Sequence, residues 1–297
     1  MVVPAKTVDS GATSEIVCAL CEAPMEPDVA PDTFHCTNCD YFVSKFPVRI
    51  NEVERIDEAA RERALKPIRL ANFRQLLNEC ADLLPKGTTL LDVGCAHGWF
   101  MEAATSRGLT CYGIEPDLEM AQRARSTGHE VIAGFFPDAM PTRLRFNAIT
   151  FNDVFEHLPD VTGIVRSLPG YLVPGGIVIV NLPVASGPIF RIVRAVARFG
   201  IIGPLDRMWQ TGLPSPHLSY FKAPALLLFF ERSGFDLVRC GELQSVGLDG
   251  LYDRIRYDRS IGRIGAAVMY IIAIGAYLVS KVFSSDIQYF VFRQKNK

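Results

Sequence analysis

The sequence predicts an α/β fold, doubly wound around a mostly parallel seven-stranded sheet, with a small cysteine-rich module ahead of it. Three observations carry this. From Thr88 onward, short apolar runs alternate with stretches of helical periodicity, the pattern that strand–helix–strand crossovers leave in a sequence. Residues 90–98 read Leu-Leu-Asp-Val-Gly-Cys-Ala-His-Gly, and the next apolar run ends on Glu115. Near the N-terminus, Cys18-x2-Cys21 is followed after fourteen residues by Cys36-x2-Cys39.

The cysteine quartet has the spacing of a zinc ribbon. Each CxxC puts two thiolates on one tight knuckle, and two knuckles close a tetrahedron around Zn²⁺. With Cys18, Cys21, Cys36 and Cys39 filling all four positions, the metal has no open site, so its expected role is structural and His35 and His97 need no part in it. A module of residues 1–50 is too small for a large core, and the metal would supply much of its folding energy. Neither CxxC opens a helix, which argues against a redox pair. The module carries three basic and seven acidic side chains, whereas residues 251–297 carry eight basic and three acidic.

Residues 51–86 read as a helical linker of one or two helices, with Pro67 marking a break. The main domain is expected over 87–297. Its first strand runs from Thr89 to Val93, followed by a helix from Trp99 to Arg107. A second strand, Thr110–Ile114, ends on Glu115. A helix from Asp117 to Ser126 turns Met120 and Ala124 inward, and Gly128 stops it. Further strands are predicted at Glu130–Gly134, Phe146–Asn152, Ile177–Asn181, Phe235–Leu243 and Asp286–Arg293, with a helix from Thr162 to Tyr171. Residues 184–214 and 245–285 stand outside this pattern as insertions. In such sheets ligands sit at the carboxyl ends of strands, where Gly94, Glu115, Gly134 and Asn152 fall.

Glycine in the turn after the first strand lets the backbone approach a ligand with no Cβ in the way. An acid about 20 residues further on is placed to take ribose hydroxyls. The turn lacks the third glycine of a dinucleotide site and reads Asp92-x-Gly94-x-Ala96-x-Gly98. It resembles motif I of the class I S-adenosylmethionine (SAM) methyltransferases, a family that usually has glycine where Ala96 stands. Three further segments are similar to members of quinone, lipid and glycan pathways. They are Phe151-Asn-Asp-Val-Phe-Glu-His-Leu-Pro159, Leu172-Val-Pro-Gly-Gly-Ile-Val178, and His217-Leu-Ser-Tyr-Phe221 with the later Ser233-Gly-Phe235. The resemblance covers residues 88–183 and 215–240.

The resemblance implies SAM as cofactor. Asp92 and the loop of Gly94, Cys95, Ala96, His97 and Gly98 would face the methionine tail, Glu115 the ribose and Phe135 the adenine. Asn152, Asp153 and Val154 would close the other side. His157 and His217 are candidate proton acceptors near neutral pH, each with an equal reading as a locally satisfied structural histidine. The expected reaction is methyl transfer to a small-molecule, lipid-linked or glycan acceptor, on oxygen.

Two other functions remain open at this point. A ribbon ahead of such a domain also resembles ribosomal RNA guanine methyltransferases, but a ribbon that grips RNA should be basic, and the net charge of −1 gives no global case for nucleic acid. A non-catalytic SAM-binding scaffold with the ribbon as recruitment module is favoured only by Ala96. For partners, Arg191, Arg194 and Arg198 fall at helical spacing in Pro188–Phe199, which reads as an amphipathic helix on an anionic membrane surface. The run Ile264–Val279 holds 16 uncharged residues, short of the roughly 20 that span a bilayer. It is expected to dock shallowly, with Arg254, Arg256, Arg259 and Arg263 beside it, or to be buried or form a homodimer contact, with a membrane span as the third reading. With no apolar leader and eight cysteines, the expected location is the cytoplasm, with peripheral attachment at the inner membrane face.

Overall fold

The computed structural model describes residues 16–52, 58–245 and 284–295, together with the single positions 267, 270, 274 and 275. Three short strands, β1 (Glu26–Pro27), β2 (Thr33–Cys36) and β3 (Tyr41–Ser44), form the ribbon, and α1 (Glu58–Glu79) leads into the main domain. There follow β4 (Thr89–Val93), α2 (Trp99–Thr105), β5 (Thr110–Glu115), α3 (Leu118–Ser126), β6 (Glu130–Ala133) and β7 (Phe146–Asn152). A single 3₁₀ turn, Phe155–His157, precedes α4 (Val161–Ser167) and β8 (Leu172–Pro183). The remainder comprises α5 (Pro188–Ala197), α6 (Gly203–Trp209), β9 (Ser219–Tyr220), α7 (Ala223–Arg232), β10 (Phe235–Leu243) and β11 (Ile287–Gln294).

The main sheet has seven strands in the order β10-β11-β8-β7-β4-β5-β6. β11 runs antiparallel to both neighbours, and the pairings from β8 to β6 are parallel. This is the doubly wound sheet that the alternation of strands and helices predicts. The order reverses at β4, which lies between β5 and β7, so the crevice at its carboxyl end is the natural ligand position. Alternation along the strands divides the core in two. Leu91, Ile149, Val178 and Val180 pack with the ribbon and α7 on one face, while Leu90, Ala148, Ile177 and Ile179 pack with α1 and α2 on the other.

Three expected boundaries shift, the first being β8, which runs Leu172–Pro183 through Pro174, Gly175 and Gly176 where the strand is expected over Ile177–Asn181 alone. Pro67 lies inside α1, which continues through it as a helix of 22 residues. A proline in mid-helix costs about 3 kcal/mol. Downstream packing of Phe73, Leu76, Leu77 and Cys80 against Phe100 and Leu90 offsets that cost. The helix expected over Thr162–Tyr171 is α-helical only to Ser167 and ends as a 3₁₀ turn at Leu168–Gly170, where Pro169 and Gly170 stand.

The ribbon is not a free-standing bead. Its sheet is completed by β9, which pairs with β3 through Phe42↔Tyr220 and Val43↔Ser219. Cys18, Leu20, Met25, Cys36 and Tyr41 belong to the same buried cluster as Phe155, Phe221 and Phe230. Arg194 of α5 turns into this seam and makes a bidentate pair with Asp28 at 2.6–3.2 Å. That corrects the expectation of three arginines on one outward face: Arg194 lies on the inner face with Phe190, Val193 and Ala197, stacked over the ring of Phe42. Among the described residues no helix is long and apolar enough to cross a membrane. The run Ile264–Val279, apart from the four single positions, lies outside the described residues, as do Arg254, Arg256, Arg259 and Arg263.

Candidate active site

β4 delivers the chain into a loop of left-handed turns: Gly94 has φ 69°, Ala96 φ 43° and Gly98 φ 76°. At Gly94 the space itself demands glycine, because a Cβ would stand 2.6 Å from Val154 Cγ2. Ala96 adopts the left-handed conformation despite its methyl group, a strain of about 1–2 kcal/mol. Its N–H is held by Glu115 Oε2 at 2.8 Å. The other carboxylate oxygen, Oε1, accepts from Asp117 N, also at 2.8 Å. Glu115 thus ties the β4 loop to the β5 turn while its carboxylate lies at the end of β5. Cys95 is buried beside Gly113, and burial pushes its thiol far up, so it stays neutral. His97 stacks on Trp99 at 4.4 Å. Phe135, half exposed, follows Gly134, whose N–H donates to the Glu115 carbonyl.

Behind the loop runs a buried polar ladder across three neighbouring strands. Asp92 Oδ1 accepts from Thr150 Oγ1 at 2.8 Å and from Asn152 Nδ2 at 3.0 Å, and Asn152 Oδ1 accepts from Asn181 Nδ2 at 3.0 Å. Burial pushes the Asp92 carboxyl up to about 7, against the pull of its two donors. Asn181 Oδ1 is buried with no hydrogen-bond partner among the described residues. Asp153 follows in a left-handed conformation, φ 53°. Its Oδ2 lies 3.4 Å from Arg69 Nη2 of α1, while burial raises its carboxyl.

Asp92, the Gly94–Gly98 loop, Glu115, Asn152, Asp153 and Val154 therefore converge at the carboxyl ends of β4, β5 and β7, with Phe135 at the β6 side. The polar groups suit SAM: carboxylate and amide oxygens to accept from an ammonium and a ribose, and a guanidinium to donate to a carboxylate. Arg69, Thr150 and Asn181 escaped the sequence reading. Arg69 left only the faint signal of a basic residue on the buried side of a linker helix. Asn181 closes an apolar strand at the position matching Asn152.

His157 and His217 come together at the next turn of chain, ring centroids 4.6 Å apart. His157 Nδ1 is 2.8 Å from Pro216 O; a carbonyl only accepts, so Nδ1 carries the proton and Nε2 is the basic atom. Tyr220 Oη donates to Met208 O, which leaves it to accept from His217 Nδ1 at 2.7 Å. His217 Nε2 then accepts from Gln210 Nε2 at 2.9 Å. Glu156 Oε1 lies 4.0 Å from both Nε2 atoms. Burial first, then the charge of Asp153, pushes its carboxyl well above the usual range. Burial, reinforced by His157, holds His217 well below the usual imidazole range.

The four ribbon sulfurs form a separate cluster. Cys18 Sγ and Cys39 Sγ are 3.6 Å apart, Cys21 Sγ and Cys36 Sγ 3.5 Å, and all four lie within 4.8 Å of one another. A tetrahedron with Zn–S near 2.3 Å has edges of roughly 3.8 Å, so the quartet fits Zn²⁺. Burial pushes the Cys18 thiol up to about 12 and that of Cys39 higher still, whereas hydrogen bonds to the Cys21 sulfur outweigh its burial and hold it down to about 6. His35 bonds Asp40 and stacks on Phe42, on the flank of the cluster.

A family model described as a methyltransferase domain matches residues 61–239. The ubiquinone biosynthesis O-methyltransferase of Xanthomonas axonopodis pv. citri is 30% identical over 118 residues, covering 37% of this chain and 49% of that protein. The chain spans about half the length of the curated relatives it matches. Among solved structures, a protein assigned as a sarcosine dimethylglycine methyltransferase from Galdieria sulphuraria superposes with TM-score 0.54 at 14% identity, covering 82% of this chain and 91% of that one. The cyclopropane synthase MmaA2 from Mycobacterium tuberculosis gives 0.52 at 16% identity, covering 74% and 84%. At such identities the structural matches establish the fold.

Proposed function

The chain belongs to the methyltransferase-domain family and is a class I SAM-dependent methyltransferase; from that premise we propose that it methylates an oxygen of a small-molecule, lipid-linked or glycan acceptor, with His157 taking the proton. The observation that carries this reading is the histidine pair at the end of β7. The Nδ1–H of each ring is committed to a partner on the protein, which sets Nε2 as the basic atom. His217 already spends its Nε2 on Gln210 and is held neutral by burial. His157 keeps 17% of its side chain exposed, against 9% for His217, and lies three residues from Val154 and the cofactor crevice.

When bound, SAM supplies a methyl group activated by its positive sulfur. Arg69, Asp153, Asn152, Glu115 and the Gly94–Gly98 loop would hold it, and the protein's remaining task is to orient the acceptor and accept its proton. A hydroxyl gains most from such a base, since a phenol ionises near 10 and an imidazole near 6.5. The ubiquinone biosynthesis O-methyltransferases that the chain resembles transfer to oxygen, which supports the same class. The ribbon cysteines would hold a structural Zn²⁺ that stiffens β2 and β3 behind β9.

Incubation of the protein with methyl-labelled SAM and a membrane extract tests the proposal. Label is expected in organic-solvent-extractable or saccharide material as an alkali-stable ether. His157→Gln should lower kcat by about 10²-fold with SAM affinity within about twofold. Label in RNA, or an unchanged kcat in that variant, would overturn it.

A further inference from the structure

The α5–α6 hairpin carries an apolar surface that the core does not use. Ile192 is 59% exposed, Phe199 87% and Ile201 56%, three bulky side chains within ten residues at the outer face and tip of one hairpin. Single exposed apolar residues are ordinary, but a grouped set rimmed by charge marks an interaction surface. Phe190, Val193, Arg194 and Ala197 face the ribbon and sheet, Arg191, Ile192 and Phe199 face outward, and Arg198, exposed, stands at the edge where the helix meets Glu26 and Asp28 of the ribbon. Gly200, with φ 87°, then turns the chain so that Ile201 continues the same tip.

The charge around this patch identifies its occupant. Residues 188–199 contain no acidic side chain, and with Arg194 engaged by Asp28, Arg191 and Arg198 are the exposed cations left. Apolar tips flanked by arginine match an interface whose surface is anionic and whose interior is hydrocarbon. A second copy of the chain fits poorly, because a two-fold contact would set each arginine pair against its own image. We propose that this hairpin docks the protein on an anionic lipid bilayer, Phe199, Ile201 and Ile192 entering the headgroup boundary and Arg191 and Arg198 pairing with lipid phosphates. The hairpin ends at Trp209 and Gln210, and Gln210 bonds His217. Docking therefore sets the histidine side of the crevice one short helix away from the bilayer, the position from which an amphiphilic acceptor would be drawn.

Flotation of the full chain with vesicles tests this, using phosphatidylcholine alone and phosphatidylcholine containing one-third phosphatidylglycerol. The protein should float with the anionic vesicles and stay behind with the neutral ones. Phe199→Ser with Ile201→Ser should lower the bound fraction about tenfold or more. Arg191→Gln with Arg198→Gln should remove the preference for phosphatidylglycerol, a loss of about tenfold. Both variants should keep the melting temperature and SAM affinity of the parent, since none of the four side chains reaches core or crevice. Failure of the parent to float, or flotation of both variants at the parent's level, would overturn the proposal. So would a lipid-free dimer that the Phe199/Ile201 variant converts to monomer, which would make a second copy the occupant. Binding is read without acceptor or methyl transfer, so its failure would leave the acceptor reading where it stands.

Discussion

Tyr41 and Ser219 lie 178 positions apart in the chain and share a buried hydrogen bond of 2.7 Å. Tyr41 opens the strand that follows the second cysteine knuckle, and Ser219 stands two residues after His217. Ser44 Oγ reinforces the seam by donating to the His217 carbonyl at 2.8 Å. The cysteine knuckles are thus a backing plate for the histidine side of the crevice, whereas the turn after Glu115 meets Asn51, just past the ribbon, through Pro116 O and Leu118 N. These separate contacts make the two halves of the site experimentally distinguishable.

Metal analysis of protein purified under reducing conditions should find one equivalent of zinc per chain. Cys36→Ser, or removal of zinc by a chelator, should lower the melting temperature and reduce turnover of acceptor. SAM affinity by calorimetry should stay within about twofold, because the strand pairing of β3 and the Tyr41 and Ser44 hydrogen bonds go to the His217–Tyr220 segment. A parallel collapse of SAM affinity would show that the ribbon supports the whole crevice.

Glu115→Ala should weaken SAM binding by roughly 1.5–3 kcal/mol, the range for a hydrogen bond to a charged group. The loss has two sources. The carboxylate is removed from the end of β5, and the N–H of left-handed Ala96 loses the acceptor that holds it. Titration calorimetry reads the sum, and amide exchange at Ala96 reads the second part alone.

Stability should fall as pH rises from about 4 to about 7, in part through Asp92. Its folded carboxyl titrates at about 7, above an unfolded value near 3.9. Between these limits the folded state holds the extra proton, so raising pH disfavours folding. Three units correspond to an upper bound of about 4 kcal/mol. Asp92→Asn keeps an oxygen to accept from Thr150 and Asn152 and has no proton to lose. Its melting temperature should therefore vary less across that window than the parent's, which thermal melts at stepped pH would reveal.

Arg194→Met should destabilise the fold by about 3 kcal/mol, because it strands the Asp28 carboxylate, whose side chain is 3% exposed, without its partner. Adding Asp28→Asn should recover most of the loss. Denaturant titration of the four members of this cycle gives the coupling directly, and additive effects would mean that the pair contributes nothing.

What could be read from the sequence was what local spacing encodes. The turn from Gly94 to Gly98, the acid at Glu115, the cysteine quartet and the strand Phe235–Leu243 each announce themselves within a few residues, and the structure places them in the predicted elements. The relationships that finish the site are between distant residues: Arg69 with Asp153, Arg194 with Asp28, Tyr41 with Ser219. No periodicity records them. Helical spacing puts Arg191, Arg194 and Arg198 near one another, but only the position of Asp28 decides which of them turns inward. Pro67 was misleading for the same reason, since the packing that carries α1 past it comes from β4 and α2.

The hairpin formed by β10 and β11 is pinned at its stem. Leu243 pairs with Ile287, Ser285 Oγ donates to the Leu243 carbonyl, and Gln244 exchanges two hydrogen bonds with Asn72. Whatever lies between 246 and 283 enters and leaves the sheet at one fixed point. The edge of the sheet is therefore held by Asn72, Leu243, Gln244 and Ser285 themselves, so a substitution beyond 246 should leave the register of β10 on β11 unchanged.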